Sequence, residues 1–354
     1  MARLDELFLY LREQNASDLH LAAGLVPRVR LHGTLRDVPG WNALTDEELL
    51  AMLQEVAPAA RWEEFTSTGD TDFAYGLEGV ARFRANFLRQ ENGSGGVFRM
   101  IPEQIVPLAE LHLPAAIESL AHLQYGLVLV TGPTGSGKST TLAAIIDAVN
   151  TNYAKHIVTI EDPVEFVHKG KKSTFSQREV GTDTVSFAAA LRAAIRQDAD
   201  VILVGEMRDL ETISLAITAA EMGALVFGTL HSNSAINTVD RLIDAFPAEE
   251  QAQVRTTLAE SIAGIVSQIL LRTADGKGRV AAIEILLRSS GLPGVIREGN
   301  TPMLTSIIQA GKGQGMQLMD DALMALVESK TITPRDAYNK ATNKAKFEPL
   351  VQEP

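Results

Sequence analysis

The fold of this chain is decided by one stretch, Gly132-Pro133-Thr134-Gly135-Ser136-Gly137-Lys138-Ser139-Thr140. This stretch fits the pattern G-x-x-x-x-G-K-[ST], in which glycines let backbone N–H groups turn inward around phosphate oxygens. The apolar run 127–130 before it predicts a buried parallel strand, and the run 141–149 after it predicts a helix. A strand, a glycine-rich loop and a helix N-terminus together predict a phosphate-binding site.

The last residues of the motif predict which phosphates are held. We expect Lys138 to reach the β- and γ-phosphates of a nucleoside triphosphate, and Ser139 to hold Mg²⁺. The alternative is an ordinary glycine-rich turn with a chance Gly-Lys-Ser, which the flanking strand and helix disfavour. The predicted ligands are therefore ATP and Mg²⁺, bound by residues 132–140.

Composition restricts the class of protein. The chain has 354 residues, which predicts two domains, and its hydrophobic share of 45% is that of an ordinary globular protein. It has no cysteine, which excludes disulfides and cysteine-ligated metal sites. A formal net charge of −12 opposes binding to nucleic acid. The acidic start and the lack of a long apolar run predict a cytosolic protein, which could still dock on a membrane complex.

Residues 1–101 are predicted to form a small α/β domain with an antiparallel sheet. Apolar residues in the segment 4–14 follow helical spacing, and Thr45 with Glu48 forms the capping-box pattern of a second helix. The segment 71–100 alternates like strands joined by turns. Prolines at positions 102, 107 and 114 mark a linker over 102–112, because proline continues neither a sheet ladder nor a helix.

The remainder, residues 113–354, alternates short apolar strands with helices. The predicted strands are 127–130, 156–160, 201–204 and 225–230, with a further candidate at 280–286. The predicted helices are 186–196, 210–221, 247–271 as one long helix or two, 317–328 and 334–339. This alternation predicts a mostly parallel sheet covered on both faces, followed by a loose polar tail of about ten residues.

Acidic residues follow two of these strands. Glu206 follows the apolar run 201–204 after one glycine, at the strand end where a P-loop ATPase needs a carboxylate to place Mg²⁺ or orient the attacking water. The first acid at this place is usually Asp, but here Gly205 occupies it, so Glu206 is the candidate general base. Glu161 and Glu165 follow the strand 156–160 and could share Mg²⁺, because parallel strand ends face one crevice. The alternative for Glu206 is a surface glutamate that caps a helix, and the alternative for Glu161 and Glu165 is a solvated turn around Pro163.

A histidine and three arginines complete the candidate site residues. His231 ends the strand 225–230 and could sense the γ-phosphate, although a satisfied core histidine is an equal alternative. Arg82, Arg84 and Arg99 lie in the first domain and could stabilise charge on a neighbouring subunit's phosphate. Without other information, the favoured interpretation of these arginines is that they are solvent-exposed strand residues.

The order of these motifs resembles the secretion and traffic ATPases. The segments 132–140, 159–166, 201–209 and 229–242 are similar to the Walker A, Asp-box, Walker B and His-box motifs of that family. The PilT-like pilus retraction branch is the closest resemblance, and 17–21, 82–86, 177–181 and 194–198 extend it over nearly the whole chain. The extension branch usually carries a four-cysteine metal site and an additional N-terminal domain; this sequence has no cysteine and is expected to lack that domain, which favours the retraction branch.

This resemblance implies a PAS-like first domain and a RecA-like second domain. It also implies a ring-shaped homohexamer that docks on an inner-membrane platform protein and couples ATP hydrolysis to pilin removal. By motif position, Glu206 would be the catalytic glutamate, Glu161 and Glu165 Asp-box acids, and His231 the His-box histidine. Arg84 and Arg99 match the arginines that family members bring from the first domain to the nucleotide, and no nucleic-acid partner is expected.

Three departures from the family pattern leave other functions open. Ala224 replaces a common histidine, Ala199 replaces a common proline, and the retraction signature is represented only by the segment 292–298. The alternatives are an accessory retraction paralogue, a nucleotide-regulated ring subunit with little turnover, or another secretion or DNA-uptake ATPase. A small-molecule kinase is disfavoured, since the sequence shows no second-substrate pocket or lid.

Overall fold

The computed structural model describes residues 2–31, 33–101 and 104–352, and the chain divides into two compact α/β units. The first unit comprises Met1–Gln104 and Pro163–Val167, and the second comprises Ile105–Asp162 and His168–Pro354. Pro102, the proline at the start of the predicted linker, lies outside the described residues. None of the described helices combines the length and the apolar character that a bilayer span requires.

The first unit contains an antiparallel sheet and three helices within its described residues. Its elements are α1 (Arg3–Glu13), β1 (Asp18–Ala22), β2 (Arg28–Leu31), β3 (Thr34–Asp37), α2 (Asp46–Val56), α3 (Ala59–Thr68), β4 (Asp70–Leu77), β5 (Ala81–Gln90) and β6 (Gly93–Ile101). The strand order is β3-β2-β1-β6-β5-β4, and every neighbouring pair is antiparallel. The predicted antiparallel sheet is therefore confirmed, whereas α3 had no counterpart in the sequence prediction.

The core of the first unit lies on one face of its sheet. Strand β5 alternates buried Phe83 and Phe87 with the polar Arg84 on the opposite face, as period-two packing requires. The ring of Phe8 on α1 stacks on Phe83 with centroids 4.2 Å apart. At the start of α2, the Thr45 hydroxyl accepts a hydrogen bond from the backbone N–H of Glu48, which confirms the predicted capping box.

The second unit is built on a larger sheet. Its helices are α4 (Ala115–Leu120), α5 (Lys138–Asn152), α6 (Phe187–Ala194), α7 (Leu210–Glu221), α8 (Ala235–Asp244), α9 (Gln251–Ser261), α10 (Leu292–Arg297), α11 (Leu304–Ala310), α12 (Met319–Glu328), α13 (Pro334–Lys340) and α14 (Glu348–Gln352). Its strands are β7 (Gly126–Thr131), β8 (His156–Glu161), β9 (Thr174–Glu179), β10 (Val201–Val204), β11 (Leu225–Leu230), β12 (Ile262–Arg272) and β13 (Arg279–Leu287). Short 3₁₀ turns occupy Leu108–Glu110, Thr301–Met303, Lys312–Gln314 and Lys344–Lys346.

This sheet places the carboxyl ends of its parallel strands at one edge. The strand order is β13-β12-β7-β11-β10-β8-β9, and only the β12–β13 pair is antiparallel in the described residues. Leu127 and Leu129 of β7 pack into one core cluster, while Val128 and Val130 pack into another. Burial on both faces explains the unbroken apolar runs, and the predicted mostly parallel sheet is confirmed.

Two predictions for the second unit are wrong. The stretch 247–271 is not helical throughout, because α9 ends at Ser261 and β12 begins at Ile262. Strand β12 is buried on both faces beside β7, so its apolar run carries no helical periodicity. The expected loose tail is also ordered up to residue 352, since Phe347 is fully buried in a cluster with Leu323 of α12.

Candidate active site

The glycine-rich loop joins β7 to α5, and its glycines adopt conformations that other residues rarely take. Gly132, Gly135 and Gly137 have φ values of 144°, 76° and 88°. A Cβ added to Gly132 would overlap the backbone carbonyl of Gln268 on β12. The loop therefore depends on glycine for both its backbone conformation and its close packing on the neighbouring strand.

The rest of the motif surrounds the N-terminus of α5. Pro133 and Thr134 are exposed, whereas Ser136 is buried and its hydroxyl has no hydrogen-bond partner among the described residues. Ser139 and Thr140 are half-buried in the first turn of α5, directly behind Lys138. The N–H groups of a helix's first turn have no intrahelical partner, so this end attracts anions.

Lys138 points back over the loop. Its ammonium group donates to the carbonyl oxygens of Gly132 at 2.8 Å and of Pro133 at 3.0 Å. The side chain is mostly buried, which keeps its charge close to the loop backbone. A triphosphate entering the loop would offer oxygens that compete for the same donor.

Glu206 lies just beyond the end of β10, beside the guanidinium group of Arg208 and the imidazole ring of His231. Its Oε1 atom lies 2.6 Å from Nε of Arg208 and 3.1 Å from Nε2 of His231. Burial raises the pKa of Glu206, but the hydrogen bond from Arg208 and the charges of Arg208, His231 and Lys138 outweigh it and hold the pKa below its usual value. The carboxylate is therefore ionised at neutral pH and electrostatically linked to the phosphate loop.

The acidic end of β8 adjoins the end of β10. Residues Ile160 and Val204 are partners in the β8–β10 ladder, so Glu161 follows at the same edge as Glu206. One carboxylate oxygen of Glu161 accepts a hydrogen bond from the Thr159 hydroxyl at 2.8 Å. Asp162 also faces this edge closely enough for its charge to help raise the pKa of Arg208.

His231 is positioned by the start of α8. The backbone carbonyl of His231 accepts a hydrogen bond of 2.6 Å from the guanidinium group of Arg241, which lies in the last turn of α8. Ser234 caps α8 by accepting from the backbone N–H of Asn237. The short turn between β11 and α8 thus aims the imidazole at Glu206, so the structure brings Lys138, Glu206 and His231 together.

The remaining predicted residues belong to the first unit. Arg84 and Arg99 are direct partners across β5 and β6, and both side chains are exposed. Arg84 lies 3.6 Å from Asp72, and Arg99 pairs at 2.9 Å with the buried Asp18. Glu165 lies in the segment Pro163–Val167, which also belongs to this unit.

Sequence reasoning missed two residues of this site. Arg208 contacts Glu206. Its position two residues after the predicted general base could have indicated this contact. Gln268 lies beside the phosphate loop, where its amide group donates to the Ser136 carbonyl at 2.7 Å and accepts from the Thr141 hydroxyl at 2.9 Å. Gln268 was missed because the segment 247–271 was predicted to be helical. Only the strand β12, paired with β7, places this side chain beside the loop.

Taken together, these groups can bind a polyphosphate at the loop and place an ionised carboxylate beside it.

Comparison with known proteins identifies the family. Residues 6–331 match the family described as type II/IV secretion system protein. The chain is 47% identical to the type IV pilus retraction ATPase PilT of Pseudomonas aeruginosa over 338 residues, covering 96% of this chain and 98% of that protein.

Two further relatives agree with this assignment. The chain is 47% identical to a twitching motility protein of Neisseria gonorrhoeae over 317 residues, covering 90% of this chain and 84% of that protein. A crystal structure of the pilus retraction motor PilT with bound ADP superposes with a TM-score of 0.91 at 42% identity, covering 99% of this chain and 100% of that one. The chain therefore belongs to the type II/IV secretion system family and, within it, to the PilT-like type IV pilus retraction ATPases.

Proposed function

We propose that this chain is a ring-forming motor that hydrolyses ATP to power type IV pilus retraction, and thereby pilin disassembly and twitching motility. The observation that carries the proposal is the ionised Glu206 carboxylate, held by His231 and Arg208 and coupled to Lys138 of the phosphate loop. The ADP bound in the related PilT crystal structure supports a nucleotide at this loop.

Each group has a defined task in this proposal. Lys138 leaves the carbonyl groups of Gly132 and Pro133 and binds the β- and γ-phosphates. Glu206 orients the attacking water and takes its proton, because its carboxylate is ionised at neutral pH. His231 holds Glu206 in place and reports, through α8, whether the γ-phosphate is present.

The residues at the strand ends also suit Mg²⁺. Ser139, Glu161 and Glu206 offer oxygen atoms, which this ion prefers, and it is commonly held by one or two carboxylates together with substrate phosphates. The orphaned Ser136 hydroxyl and the narrow space beside Gly132 fit a loop shaped for phosphate. When bound, Mg²⁺ would neutralise charge on the phosphates.

We infer that the working assembly is a homohexamer with nucleotide between subunits. Arg84 and Arg99 would reach the phosphates of the adjacent subunit, and Glu165 would serve as one of the Asp-box acids. Arg84 and Arg99 lie opposite each other on one exposed face, so both could meet the same anionic ligand, which would compete with their present partners Asp72 and Asp18. The ring would act in the cytoplasm, docked on an inner-membrane pilus platform.

Replacing Glu206 by Gln tests the catalytic part of this proposal. We expect the variant to bind ATP and assemble normally, while its rate of phosphate release falls by about 10²–10⁴-fold, the usual contribution of a general base. The control is Glu211→Gln, which alters an exposed glutamate paired with Arg192 on the neighbouring helix. Normal turnover in Glu206→Gln would remove this residue from the mechanism.

Mixing two inactive variants tests whether Arg84 acts between subunits. An interface that joins the loop of an Arg84→Ala subunit to the intact arginine of a Glu206→Gln subunit contains every required group. We therefore expect mixed rings to regain phosphate release that neither variant shows alone. No recovery in mixed rings would place Arg84 in its own subunit's site or outside the mechanism.

ATP binding and phosphate release by the unsubstituted protein distinguish a motor from the alternative functions. Tight ATP binding without phosphate release would support a nucleotide-regulated ring subunit instead. Deleting the coding sequence tests the biological role, because loss of retraction should leave surface fibres accumulating while twitching stops. Normal fibre number and movement after deletion would contradict a primary retraction motor.

A further inference from the structure

Strand β12 supplies the phosphate loop with a side-chain clamp. It runs parallel to β7, and Ser267 is the ladder partner of Thr131, the last residue before the loop. Their hydroxyl groups lie 2.9 Å apart and form a buried hydrogen bond. The next residue, Gln268, is 3% exposed and reaches the loop itself.

The amide of Gln268 uses both of its ends. Its Nε2 atom donates to the backbone carbonyl of Ser136 at 2.7 Å, and its Oε1 atom accepts from the Thr141 hydroxyl at 2.9 Å. Ser136 belongs to the loop, whereas Thr141 belongs to the first turns of α5. One planar group therefore fixes the loop relative to the helix whose N-terminus faces the phosphates.

The backbone at Gln268 constrains the start of the loop as well. A Cβ on Gly132 would overlap the Gln268 carbonyl, and a Cβ on Gly137 would lie 2.8 Å from Gln268 Nε2. The beginning, the end and the following helix of the loop thus all pack on one residue.

We propose that Gln268 is a positioning residue that holds the phosphate loop in its nucleotide-binding conformation. This inference rests on the proposed ATPase function. A loop without the clamp exchanges among conformations, and the apparent affinity falls by the fraction of molecules that remain competent to bind. Once nucleotide fills the loop, its own contacts restore the arrangement, so the cost falls on binding and not on the chemical step.

The test compares three variants with the parent chain. Gln268→Met removes both hydrogen bonds at nearly constant volume, and Thr141→Val removes one of them. Gln317→Met is the matched control, because Gln317 also donates its amide to a backbone carbonyl, that of Ile283, at 2.7 Å but away from the loop. Circular dichroism and thermal melting first establish that each variant is folded.

We expect Gln268→Met to raise the Kd for ADP and the KM for ATP roughly tenfold, the combined effect of two hydrogen bonds, with little change in kcat. Thr141→Val should show a smaller rise, and the double variant should bind no more weakly than Gln268→Met alone. Gln317→Met should lower the melting temperature to a similar extent without altering nucleotide affinity.

Distinct results would overturn the inference and the function beneath it. Unchanged ADP affinity in Gln268→Met, or an equal loss in Gln317→Met, would refute the positioning role while leaving the ATPase proposal intact. If Gln268→Met does not fold, unchanged affinity in Thr141→Val would refute it. A parent chain that binds neither ADP nor ATP would instead refute the proposed function.

Discussion

His168 should make the stability of the second unit depend on pH between about 4 and 6.5. Its imidazole is buried against Phe175, with the ring planes nearly parallel and the centroids 4.9 Å apart. Its Nδ1 atom has no hydrogen-bond partner among the described residues. Burial is the main reason that its pKa falls to about 4, with Asp147 opposing the shift and Lys171 adding to it.

The size and sign of the effect follow from this pKa. The unfolded chain protonates His168 near pH 6.5, whereas the folded chain resists protonation down to about pH 4, so the unfolded state binds more protons between these values. The stabilisation is present above pH 6.5 and is lost as the pH falls. Lowering the pH from 7.5 to 5 should reduce the free energy of unfolding by about 2 kcal/mol, and full protonation by about 3 kcal/mol.

Urea unfolding followed by circular dichroism at both pH values measures this loss. His168→Phe keeps an aromatic ring against Phe175 but cannot titrate, so its loss over this pH range should be about 2 kcal/mol smaller than the parent's. The exposed His122, replaced by Phe, provides the matched control. Both tryptophans of the chain, Trp41 and Trp62, belong to the first unit, so their fluorescence reports a transition that this substitution should not change. Equal pH dependence in His168→Phe and the parent would refute the reasoning.

Two further substitutions test the candidate site directly. Gly132→Ala should weaken ADP binding roughly tenfold or more, as measured by titration calorimetry, because the added Cβ overlaps the Gln268 carbonyl. Gly223→Ala is the control: the added Cβ enters open space, so this substitution should alter only the melting temperature. Arg208→Gln should move the acidic limb of the kcat/KM profile to higher pH, because Arg208 lowers the pKa of Glu206; an unmoved limb would show that Glu206 is not the titrating base.

The positions of the glycine-rich loop and of the acids at the strand ends could be predicted because each depends on a local pattern. The apolar runs that form β7, β8, β10 and β11 are buried on both faces, as expected for a parallel sheet. Because these strands are parallel, their carboxyl ends lie at the same edge of the sheet. The capping box of Thr45 and Glu48 likewise depends on residues close together in the chain. Local patterns of this kind survive folding, since tertiary packing reinforces them.

The misread segment shows where such reasoning fails. Ile262, Ile265 and Val266 are β-branched, which favours a strand, but Gly264 interrupts them and the helix α9 directly precedes them. A short apolar run has the same appearance in a buried helix and a buried strand, so only the pairing of β12 with β7 resolves the two. Gln268 could not be found without that pairing, because its partners lie more than a hundred residues away.

The packing of Gly205 explains why the acid proposed as the general base, Glu206, stands one residue after the position expected for it. Gly205 continues the sheet beyond β10, because its N–H donates to the Ile160 carbonyl at 2.8 Å and its own carbonyl accepts from the Thr229 hydroxyl. A Cβ at Gly205 would lie 3.1 Å from the Ile160 oxygen, so a side chain there would press on β8. Residue 206 is the first to leave this crowding, and its carboxylate can therefore meet both Arg208 and His231. Gly205 therefore suits the close packing of β10 on β8, and the acid stands at the next position.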